Sequence, residues 1–288
     1  MGAATGGGGI PGATMSGIHT FNHSAMATQF QVRIADEDKT YAAQAAQAAF
    51  TLTDELESKL SRFRANSEIS EIAQLGAGET LRLTGHVFTC LDVAGRMEAI
   101  TQGAFSIAAA ALKTQPAKPL WTLENFSIRC DSGKLEFDLG AIGKGFALDR
   151  MAELLREWSC PAFLLVAGGS SILAGAAPAG TIGWSCGLGD DNASQRYWLK
   201  NCSLSGSGLA VKGNHILDPR TGKAASRQHR AWALCDTATE SDALSTACMV
   251  LNETEITHIL ADQTAWLVFL EENENARPLG GRALPVAV

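Results

Sequence analysis

The alternation of apolar and polar positions is clearest between Phe137 and Trp158, FDLGAIGKGFALDRMAELLREW. A short apolar strand breaks at Asp138 into a turn holding Gly140, Gly143 and Gly145, and a helix follows. Ala147, Met151, Leu154, Leu155 and Trp158 recur at the spacing of one helix face, with Asp149, Arg150, Glu153 and Arg156 on the others. A glycine-rich loop entering a helix serves either a tight turn or an anion held at unpaired N–H groups, and Lys144 adds a positive charge.

The same pattern predicts the other elements. ATQFQVRI, from Ala27 to Ile34, alternates as a half-buried strand, with Met26 just before it. Ala45, Ala49, Leu52, Leu56, Leu60 and Phe63 mark a long amphipathic helix over about Tyr41 to Arg62, and Asn66 or Ser67 caps a shorter one. Thr84 reads as the N-cap of a helix striped by Val87, Cys90, Leu91, Ala94 and Met97 and closed by Gly103. The small residues from Ala108 to Ala111 allow close packing against a neighbour or a ligand. Phe126 to Cys130 and Leu135 to Asp138 read as a hairpin. Further strands are expected at Ala162 to Val166, Ile172 to Ala174, Gly183 to Leu188, Gln195 to Lys200, Asn201 to Gly208, Ala231 to Asp236 and Ala265 to Leu270. Helices are expected in TATESDALSTACMVL, on the stripe Leu244, Ala247, Cys248 and Leu251, and over Glu253 to Asp262. Interleaving this irregular predicts an α+β class, with mixed sheets and packed helices. A flexible glycine-rich leader over 1–22 and a polar tail over 276–288 are expected to flank a domain over 23–275.

Composition narrows the function. A net charge of −7 argues against a nucleic-acid partner, and the apolar runs are too short to span a bilayer. Seven cysteines without a CxxC pair or regular spacing read as buried thiols in a reducing compartment, so a cytoplasmic location is expected.

Asp242 and Thr246 are four apart on one helix, with Ser245 beside them. These hard oxygens fit either a Mg²⁺ site that also takes substrate phosphates or an ordinary capped helix start. His215, set directly before the DPRTG turn, fits a general base, whereas His19 and His23 belong to the expected leader.

Five segments, in order, then resemble one family. SAMATQF is similar to its amino-terminal M-G-T motif, LSRFRANSEIS to M-S-x-Y-x-x-x-S-E-(I/L)-S, FDLGAIGKGFALDR to DLGGIAKGYAVD, HILDPRTG to H-(V/I)-I-D-P-x-T-G, and TESDALSTA to T-x-A-D-A-L-A-T-A. These are motifs of the FAD:protein FMN transferases, the ApbE family. The resemblance implies an FAD cleft between two lobes and Mg²⁺-dependent transfer of the FMN half of FAD to a Thr or Ser hydroxyl of an acceptor protein, with release of AMP. It implies Asp242, Ser245, Thr246 and the main-chain oxygen of Ala141 around the metal. Met26, Phe63, the segment Ala104, Phe105 and Ser106, Asp138, Lys144 and Leu217 would face FAD, and His215 would be the base. Water in place of the acceptor would make the protein an FAD pyrophosphatase, and loss of turnover would leave a flavin-binding protein. Where the family has F-D-x-T-V, this chain has Phe105, Ser106, Ile107, Ala108 and Ala109, so a carboxylate is lost. Gly12, Ala13 and Thr14 resemble the core of the family's acceptor motif without its preceding residues.

Overall fold

The computed structural model describes residues 17–36, 38–109, 120–131, 133–188, 195–208, 217–224, 229–272 and 275–288. His215 and the triplet Gly12 to Thr14 lie outside them. In chain order the elements are β1 (Gly17–Ala25), β2 (Thr28–Asp36), α1 (Lys39–Leu60), α2 (Glu68–Ile72), β3 (Thr80–Arg82), α3 (Gly85–Ile100), β4 (Trp121–Glu124), β5 (Ser127–Cys130) and α4 (Gly143–Glu157). There follow β6 (Phe163–Ala167), β7 (Ser171–Ala174), β8 (Trp184–Gly187), β9 (Arg196–Leu199), β10 (Cys202–Gly208), β11 (Arg230–Cys235), α5 (Ala238–Cys248), α6 (Glu253–Ala261), β12 (Leu267–Glu272) and β13 (Asn275–Gly280).

An antiparallel sheet in the order β1-β2-β6-β7-β10-β11-β12-β13 organises the chain, with smaller sheets β3-β5-β4 and β8-β9 beside it. Strands β6, β11 and β12 are buried on both faces along most of their length, which explains their nearly unbroken apolar runs. Ala231, Ala233 and Cys235 of β11 join the helical core, whereas Trp232 and Leu234 join a second cluster with Leu204, Phe269 and Trp184. Period-two alternation thus feeds two cores from one strand. Helices α1, α4 and α5 cover one face, packed on β1 and β2, on β6 and β7, and on β10 and β11 respectively.

Caps follow the sequence pattern. Ser67 accepts the Ser70 N–H at the start of α2, and Asn252 with Glu255 forms a capping box on α6. Thr84 occupies the N-cap of α3 but makes no side-chain cap bond; its N–H and hydroxyl both donate to Glu68.

Three readings are corrected. The expected leader runs into β1, which pairs with β2 along all nine residues, so 17–22 is sheet; His19 bonds the Asp36 carbonyl and His23 bonds Asp54 while stacking on Phe50. The expected tail contributes β13, paired with β12, and Val286 and Val288 then continue along β9. Sheet pairing outweighs the polar composition of both segments. The partners of β5 are β4 and β3, not Leu135 to Asp138, which runs without a strand partner into the turn before α4. The cysteine expectation holds in structure: all seven are buried and unpaired.

Candidate active site

The site grows from the crossing of α4 and α5. A Cβ on Gly145 would lie 2.1 Å from the Ala238 carbonyl oxygen, so only glycine permits this approach. The closeness lets each helix give a carboxylate to the other's N-terminus. Asp149 of α4 accepts the N–H groups of Ala238 and Thr239, each at 2.8 Å, together with the Thr239 hydroxyl. Asp242 of α5 accepts the Gly145 N–H on Oδ2 at 2.8 Å. Both carboxylates offset the partial positive charge of a helix start.

The expected anion position at α4 is therefore filled from within. Gly143 donates to the Leu139 carbonyl and Gly145 to Asp242, so these two N–H groups are committed. Lys144 extends the same arrangement, its Nζ 3.6 Å from Asp242 Oδ2. Ser171 of β7 donates to Asp242 Oδ1 at 2.6 Å, and both residues are buried. Asp242 thus gathers donors from β7 and α4 onto a residue of α5.

Hydroxyls dock α5 on the sheet. Ser203, Ser205 and Ser207 share one face of β10, and Ser241 and Ser245 are four apart on α5. Two strand residues advance about 6.7 Å and four helical residues about 6 Å, so the rows stay in register. Ser203 and Ser205 each meet Ser241 at 2.8 Å, and Ser207 meets Ser245 at 3.0 Å and Thr246 at 3.2 Å. Ser245 and Thr246 also donate to the Asp242 carbonyl. The S-x-S-x-S spacing in β10 was a readable partner for S-x-x-x-S in α5. Asp149 and Ser171 gave no such local signal, since their partners lie 89 and 71 residues away.

Several of the remaining expected residues form a rim. The Asp138 side chain caps its own turn through the Gly140 N–H and pairs with Arg62 at 3.3 Å. Arg62 in turn lies over the ring of Phe63, which is 84% exposed and so has an open face for a planar ligand. The Asp138 N–H donates to the Ile107 carbonyl, which joins the 104–107 segment to this rim. Within that segment the side chains of Ala104 and Phe105 are in the core, which leaves their backbone for the expected ligand contact; Ser106 is half-buried. The Ser106 hydroxyl bonds Glu98, whose carboxyl burial pushes above the ordinary range against the pull of that bond. A carboxylate therefore stands behind the serine that replaces one. Leu217 pairs with Ala224 across the DPRTG turn, where Arg220 is held by Asp218 and Glu255 and packs near Gly103.

Met26 and Ala27 form the tip of the β1–β2 hairpin, both with positive φ, as a two-residue primed turn requires. Beside the tip is an open cleft of about 710 Å³ lined by Ser24, Met26, Thr28, Gln29, Glu57 and Gly168.

The donors on α5 and before α4 are one carboxylate, two hydroxyls and the Ala141 carbonyl. That carbonyl is not tied to the N–H four residues on, because Gly145 gives its N–H to Asp242. An all-oxygen set with one carboxylate fits a hard divalent cation that completes its shell with substrate phosphates and water. Among the described residues no three His, Cys, Asp or Glu side chains cluster as a self-sufficient metal cage, and no helix is long and apolar enough to cross a membrane.

Comparison with known proteins agrees with this architecture. The FAD:protein FMN transferase of Treponema pallidum is 30% identical over 138 residues, 41% of this chain and 38% of that protein. The protein of the same name from Vibrio cholerae is 22% identical over 245 residues, 70% of this chain and 72% of that one. The structure of the flavin transferase ApbE from Vibrio cholerae superposes with a TM-score of 0.77 at 19% identity, covering 92% of this chain and 98% of that one, and so shares the fold. The profile of the ApbE family matches residues 26–269, and the chain belongs to that family.

Proposed function

We propose that this protein transfers the FMN moiety of FAD to a Thr or Ser hydroxyl of an acceptor protein and releases AMP. The observation that carries the reading is the buried Asp242 carboxylate, pinned between Lys144 and the start of α4, in a chain of the ApbE family. The acceptor oxygen bonds the phosphorus on the FMN side of the pyrophosphate, the bond to the AMP oxygen breaks, and the hydroxyl proton passes to a base. His215 is the proposed base. Asp242 and Thr246 with the Ala141 carbonyl would hold Mg²⁺; Ser245, buried against Ser207, would support them. Bound there, the cation would neutralise charge on the pyrophosphate. Lys144 would add charge beside the leaving phosphate, its ammonium turning from Asp242 toward the ligand. Phe63 would cover a flavin or adenine ring, and Asp138, Ser106, Met26 and Leu217 would line the FAD cleft. The buried, unpaired cysteines support a reducing compartment such as the cytoplasm.

The test is incubation with FAD, Mg²⁺ and a peptide bearing a Ser-Gly-Ala-Thr acceptor, read by peptide mass and AMP release. A gain of the FMN mass that is lost in Asp242→Asn supports the transferase. AMP and FMN released without labelling would replace it with a pyrophosphatase, and bound FAD without products would leave a flavin-binding protein.

A further inference from the structure

Ser171 belongs to none of the recognised motifs, yet it makes the shortest of the polar contacts to Asp242. It is fully buried on β7, and its hydroxyl donates to Oδ1 at 2.6 Å, the length of a charge-assisted bond. Oδ2 accepts the Gly145 N–H and faces the Lys144 ammonium at ion-pair distance, 3.6 Å. A carboxylate has about four lone-pair sites. With one donor on each oxygen, Ser171 on Oδ1 and Gly145 on Oδ2, its rotation is fixed and a lone pair of Oδ1 stays available.

The serines of β10 show what a purely structural hydroxyl looks like in this fold. Ser203 bonds Ser241 and the Ile172 carbonyl, and Ser205 bonds Ser241, so both spend their capacity on neutral groups that seat α5. The partner of Ser171 is a carboxyl group that also faces the Lys144 ammonium. Its alternate neighbour on the strand, Leu173, is an apolar member of the helical core, so an apolar residue would suit that face.

We propose that Ser171 is a positioning residue that fixes the Asp242 carboxylate for a divalent cation and thereby sets the affinity of the site for that cation. This rests on the metal reading above. By holding Oδ1, Ser171 fixes the direction of the remaining lone pair on the α5 face that Asp242 shares with Thr246, four residues on. Without the hydroxyl only the Gly145 N–H restrains the carboxylate, which can swing Oδ1 about that bond toward Lys144, and the cation must compete with that ion pair.

The test is calorimetric titration of the FAD-free protein with MnCl₂, beside thermal melts, for wild type, Ser171→Ala, Ser171→Cys, Ser171→Thr and Asp242→Asn. Removing a partner that orients a ligand typically weakens metal binding about ten- to hundredfold. Ser171→Ala should show a loss in that range, and Ser171→Cys, close in size but a weak donor, a similar one even if the alanine variant folds poorly. Ser171→Thr keeps the hydroxyl and should restore binding. A merely structural serine would move the melting temperature and leave Mn²⁺ affinity of the folded variants unchanged, and that result overturns the inference while the metal reading stands, provided Asp242→Asn has lost binding. Binding by Asp242→Asn as tight as wild type would overturn both.

Discussion

Asp149 and Asp242 occupy equivalent positions, each a buried carboxylate at the N-terminus of the other's helix, yet they end in different chemistry. Asp149 closes on itself: its bonds go to two N–H groups and a hydroxyl in the first turn of α5, and among the described residues no cation shares them at hydrogen-bond distance. Asp242 takes one N–H and is then shared by a buried hydroxyl and the partly exposed Lys144. Of two similar helix caps, one locks the crossing and the other holds a charge that a ligand can recruit. The difference lies in the neighbours, not in the carboxylates.

The largest effect should come from removing the contact on which both caps depend. In Gly145→Val the first side-chain carbon meets backbone atoms of Ala238 that cannot swing aside. Overpacking alone costs about 1–3 kcal/mol, and forcing the helices apart also breaks hydrogen bonds to buried carboxylates, each worth about 1.5–3 kcal/mol. The variant should unfold at far lower urea than wild type or fail to fold. A midpoint close to wild type would mean the crossing has slack.

The two carboxylates should separate when replaced singly. Asp242→Asn is expected to lower transfer by about two to three orders of magnitude, with a smaller loss of stability because the amide oxygen still accepts from one donor. Asp149→Asn should do the reverse, costing about 2 kcal/mol in urea denaturation while leaving most of the turnover of the folded fraction. If Asp149→Asn silenced a protein of undiminished stability, the division of labour drawn above would be wrong.

Lys144→Met should act on the functional side alone. Losing a charged donor worth about 1.5–3 kcal/mol corresponds to a fall of roughly ten- to hundredfold in kcat. Stability should change by less than about 1 kcal/mol, because the pair with Asp242 is long and Lys144 is partly exposed. A stability loss with unchanged kcat would make Lys144 a structural partner instead.

How much of this contrast the sequence carried follows from the range of each interaction. The stripes of α1, α3 and α4, the alternation of β2, and the Asp242–Thr246 spacing were readable because helix and strand periods are local. The crossing was not. Gly145 read as part of a loop serving a tight turn or an anion, and only the fold reveals that its neighbour is Ala238 and that its N–H belongs to Asp242. Asp149 read as a polar face of its helix and is instead the cap of another. Residues 17–22 and 276–280 looked like flanking segments because strand pairing with β2 and β12 is non-local and leaves little mark on a polar edge strand.

The finest test of the comparison is its pH dependence. Burial pushes the Asp149 carboxyl above the ordinary carboxylate range, although its hydrogen bonds pull it down. In the window between the unfolded value and that raised value, the unfolded chain has released the proton and the folded chain still holds it. Stability from this group is therefore fully present below the unfolded value and is lost as pH rises through the folded one. Urea denaturation of wild type and Asp149→Asn across that window should show wild type losing ground to the variant with rising pH, the other titrating groups being common to both. Parallel pH curves would mean that the helix start and the three donors offset burial.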